Sequence, residues 1–342
     1  MTSPEGLLPG FPSLPTHHCV TGSMLHVLRH AGLDVSEDML LGLGAGVGFF
    51  YWHQKGAVPM LLGRGNVHRP GTEGLEIDTL RRLGIGATRF TTGSARKADT
   101  SLREELADGR PVMVQVDMGL LPYFDFPQEY HFGGHVVAVG GVCDDGFWVA
   151  DCDEELHLVP PEAMTAARGS EHKPFPPRNT WYRFDLRGAR EPTPRDLREA
   201  IAANARAMLH GPITNLGVRG IRKAARLVPG WARMLSADEL REACLHNFLF
   251  IDHSGGTGGG MFRTMYGRFL DEAAERTGDD ELAACAAAAA GLGNAWDDVA
   301  AVFAGVHAGE KDEGALAGLK ASMSRIADDE EALWTTLAGC VA

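Results

Sequence analysis

The sequence predicts an α+β domain over residues 1–187 followed by an all-α domain over residues 188–342. Short β-rich runs between turn signals fill the first part, two helical stretches precede those runs, and everything past Glu191 follows a helical period. Helices first and an antiparallel sheet afterwards make an α+β arrangement. A chain of 342 residues suffices for two domains that each bury a core.

The first helix covers Val20–Ala31, with Val20, Met24, Leu28 and Ala31 on one face and Gly32 as its stop. A second covers Glu37–Leu43. Gly42–Gly48 is glycine-rich, but it follows a helix and lacks a phosphate-loop lysine. It reads as a structural turn beneath the core aromatics Phe49, Phe50, Tyr51 and Trp52. Strands are expected over Pro111–Asp117, His135–Val142, Phe147–Asp151, Leu156–Val159 and Thr180–Phe184. Asp144-Asp145-Gly146 reads as a hairpin turn, because Asp-Gly accepts positive φ, and Lys173–Pro177 as a proline-rich loop. The domain boundary falls in Leu186–Pro192. Thr193, Pro194 and Asp196 then open a helix that Gly211 closes. Ser236 and Glu239 form a capping box for the next, through Leu240, Cys244 and Phe248. A third begins at Met261. Leu282, Cys285, Ala289, Leu292, Trp296, Val299 and Phe303 recur in steps of three and four, a heptad seam. Leu316, Leu319, Met323 and Ile326 begin a matching seam, so the chain ends in an antiparallel helical pair.

Composition narrows the function. A net charge of −13 argues against general binding of nucleic acid, whose phosphates call for surplus Lys and Arg. No apolar run approaches the roughly 20 residues that cross a bilayer, and the N-terminus lacks the pattern of a secretory signal. Six cysteines, none in a CxxC pair, argue against a disulfide scaffold or zinc ribbon and for a reduced, cytoplasmic protein. Arg187–Arg233 carries a net charge of +7, whereas the stretch from Asp271 onward carries −11. The two stretches either pair within the molecule or leave the basic one for an acidic partner. Arg219, Arg222, Lys223 and Arg226 fall on one side of a helix and form the candidate docking face.

The chemistry concentrates in the first domain. Cys19 sits directly before the first helix, where unpaired backbone N–H groups and the helix dipole favour a thiolate. His135 opens a strand, and Asp151 ends the next strand of the same hairpin. Thiolate, imidazole and carboxylate are the set that cysteine acyl transfer needs. His17, His18 and His131 lie nearby in sequence but form no complete ligand set, so no metal site is expected. Cys143 and Cys152 read as small buried side chains. The loop containing Gly255, Gly256 and Gly258 precedes a helix, so its amides, with Arg263, are a candidate anion site; the plain alternative is a flexible loop.

Cysteine at a helix start, then His on a strand, then Asp on the following strand is the order of papain-like cysteine enzymes. The segments HHCVTGSMLHVLRHAGLDVSEDMLLGLGAGVGFFYW, GGHVVAVGGVCDDGFWVADCD and IDHSGGTGGGMFRTMYGRFLDEAAE resemble the butirosin-biosynthesis acyltransferase family over nearly the whole chain. The resemblance implies a papain-like domain followed by a helical one. It implies acyl transfer from an acyl-carrier-protein thioester to a small-molecule amine, with Cys19 as nucleophile, His135 as base and Asp151 as orienting acid. No cofactor is implied beyond the 4′-phosphopantetheine arm of the carrier. On this reading Gly255–Gly260 and Arg263 border the cleft, and Arg219–Arg226 receives the carrier. One departure stands out: no glutamine precedes Cys19 within Gly10–His18 to build an oxyanion hole. The backbone N–H of Cys19 must then act with another donor from His17, His18 or Gln54. Two rivals remain. The same triad serves a hydrolase, peptidase or thioesterase when water reaches the acyl-enzyme, and a non-catalytic binding protein can keep the same fold.

Overall fold

The computed structural model describes residues 4–68, 72–127 and 129–341. Helix α1 spans Cys19–His30 and α2 spans Glu37–Leu43. Strands β1 (Val47–Trp52) and β2 (Met60–Arg64) precede α3 (Leu75–Arg82) and β3 (Gly86–Phe90). Helix α4 (Ala95–Ala107) leads into β4 (Val112–Val116), β5 (His135–Cys143), β6 (Gly146–Ala150) and β7 (Leu156–Val159). Then come α5 (Pro161–Gly169) and β8 (Trp181–Asp185). The remaining elements are helical. They are α6 (Pro194–Leu209), α7 (Gly217–Leu227), α8 (Trp231–Met234) and α9 (Ala237–Leu249), then α10 (Arg263–Thr277), α11 (Asp280–His307) and α12 (Ala315–Cys340). Among the described residues, no helix is long and apolar enough to cross a membrane.

The chain divides into two compact units, Met1–Leu40 with Leu83–Glu191, and Leu41–Arg82 with Pro192–Ala342. The first is built on a six-stranded antiparallel sheet in the order β3-β8-β4-β5-β6-β7. Alternation along β5 and β6 gives the sheet two apolar faces. Val137, Val139 and Val149 pack with Leu102 and Leu106 of α4 and Met164 and Ala167 of α5. Ala138 and Ala150 pack on the other face with Phe11 and Val27, the latter from α1. The strands read from sequence are all present. Sequence reading missed β1 and β2, the first of them read only as a turn and core aromatics, and also β3, whose residues are half-exposed or exposed and so lack an apolar alternation. Gly146 also has a different role from the expected one. The turn itself is Asp144-Asp145, and Gly146 is required because a side chain there would strike the Val159 carbonyl of β7.

The second unit corrects the expected single cut at 187/188 and the expected all-helical second domain. Its seven helices are joined by the β1–β2 hairpin and α3, drawn from residues 41–82. The reason lies in backbone hydrogen bonding. Asn204 of α6 accepts from the Val47 N–H at 3.2 Å and donates to the Val47 carbonyl at 2.7 Å. Asn247 of α9 likewise accepts from the Leu61 N–H at 2.7 Å and donates to the Pro59 carbonyl at 2.9 Å. Buried strand backbone must find such partners, and here helices supply them. Phe49 of β1 stacks on Trp296 of α11 at 5.6 Å. Both capping boxes form, at Thr193/Asp196 and Ser236/Glu239. Every residue of the α11 seam is buried.

Candidate active site

Cys19 is the first residue of α1, and His18 before it makes no side-chain cap. Glu37, the first residue of α2, holds this helix start. Its carboxylate accepts from the His17 N–H, the His18 N–H and the Thr21 hydroxyl, each at 2.8 Å. Burial pushes the Glu37 carboxyl up in pKa, against the pull of those three donors. Helix α1 is fastened to β5 by the Ser23 hydroxyl, which donates to the Val136 carbonyl at 3.0 Å. That tie, invisible in the sequence, brings the helix start to the strand that His135 opens.

The His135 imidazole stands close enough to Cys19 for the thiol to raise its pKa. Its Nε2 lies 3.0 and 2.8 Å from the two carboxylate oxygens of Asp151, which leaves Nδ1 for the thiol. Burial acts to lower the His135 pKa, but the charge and hydrogen bond of Asp151, aided by Cys19, raise it to about 10. Burial would likewise raise Asp151, yet His135 and a hydrogen bond from Tyr123 hold it below the usual carboxylate value. The Tyr123 hydroxyl donates to Asp151 Oδ2 at 2.7 Å, and its ring stacks on His157 at 3.9 Å. Phe124 meets the His135 ring edge-on at 5.9 Å. Tyr123 and Glu37 carried no motif that sequence reading could use. Cys152 is half-buried; burial, then the charges of Asp151 and Cys19, push its thiol up, so it stays protonated near the candidate nucleophile.

The segment entering β5 is clamped as well. Buried Asp117, just past β4, accepts from the Phe132 N–H at 3.0 Å and the Ser170 hydroxyl at 2.7 Å, and pairs with His131 at 3.0 Å. Gln115 donates to the Gly133 carbonyl at 2.7 Å. These contacts fix where β5 begins and therefore where His135 stands.

The raised His135 pKa makes stability depend on pH. It rises from an ordinary value near 6.5 in the unfolded chain to about 10 in the folded one. The protonated imidazole therefore contributes stability that is complete below about pH 6.5 and lost as pH climbs through about 10. The melting temperature should fall across that range, and Asp151→Asn should flatten the fall by removing the charge. Parallel pH profiles in the two proteins would expose a wrong assignment.

Other candidates are placed differently. The His17 and His18 N–H groups are engaged by Glu37, so they are not free to stabilise an oxyanion. The Cys19 N–H has no partner among the described residues, as expected at a helix start. Gln54 is exposed between β1 and β2, in the second unit. The Gly255–Gly260 loop is neither a phosphate cradle nor slack. The amides of Gly255 and Gly256 bond back to Asp252 and His253, and that of Gly260 donates to Asp297 at 2.8 Å. Gly258 turns through a φ of 66° beside Thr257, whose hydroxyl caps the Ile251 carbonyl at 2.8 Å. The carboxylate of Asp252 before this turn and that of Asp297 on α11, which holds the Gly260 amide, would repel a phosphate.

Arg263 is fully buried, with Glu330 at 2.7 Å and the Gly48 carbonyl at 2.9 Å. It cannot receive a phosphate from solvent. The basic face is also largely committed. Arg222 pairs with Asp328 and Glu331 of α12 at 2.7 and 2.9 Å, so the +7 and −11 stretches do meet inside the molecule. Arg219 donates to the Gly211 carbonyl and Lys223 to Asn215, which leaves Arg226 exposed. Among the described residues no three side chains gather to hold a metal ion.

Residues 18–152, which contain Cys19, His135 and Asp151, match a family model described as butirosin biosynthesis protein H, N-terminal. Residues 162–337 match a model described as a domain of unknown function, DUF4872. No curated protein matches the chain. The second match covers just over half of the sequence. The chain therefore belongs to the DUF4872 family, joined to an N-terminal part similar to that of butirosin biosynthesis protein H.

Proposed function

We propose that this protein is a cysteine-dependent acyltransferase that moves an acyl group from an acyl-carrier-protein thioester, through acyl-Cys19, to an amine. One observation carries the reading: buried His135 holds Asp151 through Nε2 and stands close enough to Cys19, at the start of α1, for the thiol to raise its pKa. The match to a butirosin biosynthesis model supports a place in antibiotic-type natural-product assembly, and the helix–strand–strand order of the triad supports a papain-like first unit.

The Cys19 sulfur attacks the thioester carbonyl while His135, whose protonated form Asp151 favours, already holds the thiol's proton. The start of α1 suits the oxyanion of the tetrahedral intermediate, since the Cys19 N–H has no partner among the described residues. Collapse breaks the carbon–sulfur bond to the carrier arm, and His135 returns the proton to the departing thiol. An amine nitrogen then attacks acyl-Cys19, its proton passes to His135, and Cys19 leaves as the amide forms. A thioester donor suits such a site because exchange of one thiol for another is nearly isoenergetic. Asp151, itself held by Tyr123, keeps the imidazole in the tautomer that faces sulfur.

The test is incubation of the whole protein with acyl-carrier thioesters, followed by intact-mass measurement. A mass gain at Cys19, discharged as an amide when an amine is added, is the expected result. Release of free acid whatever the amine present would make the protein a thioesterase. Absence of any adduct, together with no selective alkylation of Cys19, would leave a binding protein instead.

A further inference from the structure

The second unit contains a cavity of about 450 Å³ that the Cys19 chemistry does not use. This size suits a small organic ligand. Lys223, Arg226 and Arg233 line it beside the aromatic rings of Tyr51 and Trp231, and no carboxylate lines it. The contrast with Arg222 is informative, since two acids of α12 neutralise that side chain. Arg226 and Arg233 are exposed and have no ion-pair partner among the described residues. Lys223 is held in place by Asn215 at 2.7 Å, with its nitrogen 6.0 Å from the Tyr51 ring centre.

The walls are rigid on one side and apolar at the rim. Trp231 is fully buried and stacks on Phe303 at 5.8 Å. Leu227 and Met234, also lining the cavity, are 40% and 51% exposed. Cations gathered around one cavity without counter-charge repel one another, and a bound anion relieves that repulsion. Guanidinium groups match phosphate oxygens with paired N–H donors. Aromatic and apolar walls suit a body that is itself planar or apolar.

We propose that this cavity binds an organic phosphate, its anionic head held by Lys223, Arg226 and Arg233 and its remainder against the apolar rim of Leu227 and Met234 beside Tyr51. The inference is independent of acyl transfer at Cys19, since binding can be measured without turnover. Calorimetric titration of the whole protein with ADP, adenosine and 4′-phosphopantetheine tests it. At least one phosphorylated probe should bind, and adenosine should bind at least about tenfold more weakly than ADP, the scale of losing charge-assisted hydrogen bonds. The double variant R226A/R233A should weaken the phosphorylated probe by about tenfold or more while leaving the melting temperature and Cys19 alkylation unchanged. Tighter binding of ADP would identify a nucleotide-like source of the phosphate, and tighter binding of 4′-phosphopantetheine the arm of a carrier. Neither phosphorylated probe binding at millimolar concentration, adenosine binding as tightly as ADP, or unchanged affinity in the double variant would overturn it.

Discussion

Cys19→Ala is expected to abolish covalent acylation and to lower turnover by about 10⁴-fold or more, the usual cost of losing a covalent nucleophile. The fold should survive, because Cys19 is only half-buried and α1 is held by Glu37 and Ser23 rather than by the thiol. Intact-mass measurement after incubation with an acyl thioester reads the first effect, and circular dichroism the second. Persistence of the adduct in the alanine variant would move the nucleophile elsewhere. His135→Ala provides an independent check. It should suppress acylation while leaving Cys19 present, because the sulfur then loses the imidazolium that holds its proton and returns it to the departing thiol.

A comparably large effect, on stability rather than turnover, is expected at Arg263. The guanidinium and the Glu330 carboxylate are buried together, and Glu330 also accepts from the indole N–H groups of Trp296 at 3.2 Å and Trp334 at 2.6 Å. Arg263→Ala leaves that carboxylate buried without its counter-charge. The expected cost is about 3–5 kcal/mol, the range for breaking a buried pair on one side. Replacing both residues by apolar ones of similar volume should cost less. Urea unfolding of the second unit's transition measures both variants. A loss below about 1 kcal/mol in the single variant, typical of an exposed ion pair, would show that the pair is hydrated.

The same arginine shows how a sequence motif misleads. Arg263 follows a glycine-rich loop at a helix start, a pattern shared by anion sites. Its partner lies 67 residues away on α12, and nothing near Arg263 in the chain announces Glu330. Arg222 repeats the lesson at a separation of 106 residues from Asp328. Charge arithmetic showed that the two stretches are opposite in sign. It could not say whether they meet each other or a partner.

What the sequence determined by itself is what local geometry controls. The α1 start at Cys19, the β5–β6 hairpin carrying His135 and Asp151, both capping boxes and the α11 seam depend on periods of two or 3.6 residues and on contacts within one turn. These survive in the tertiary structure because burial reinforces the pattern that local preference begins. Packing decided the rest. The Ser23 hydroxyl fastens α1 to β5 across 113 residues, Tyr123 reaches Asp151 across 28, and Asn204 draws β1 to the second unit across 157. A polar side chain has many partners available in water, and only burial leaves it a single one. The identity of that partner is therefore a property of the folded core, and no window of sequence contains it.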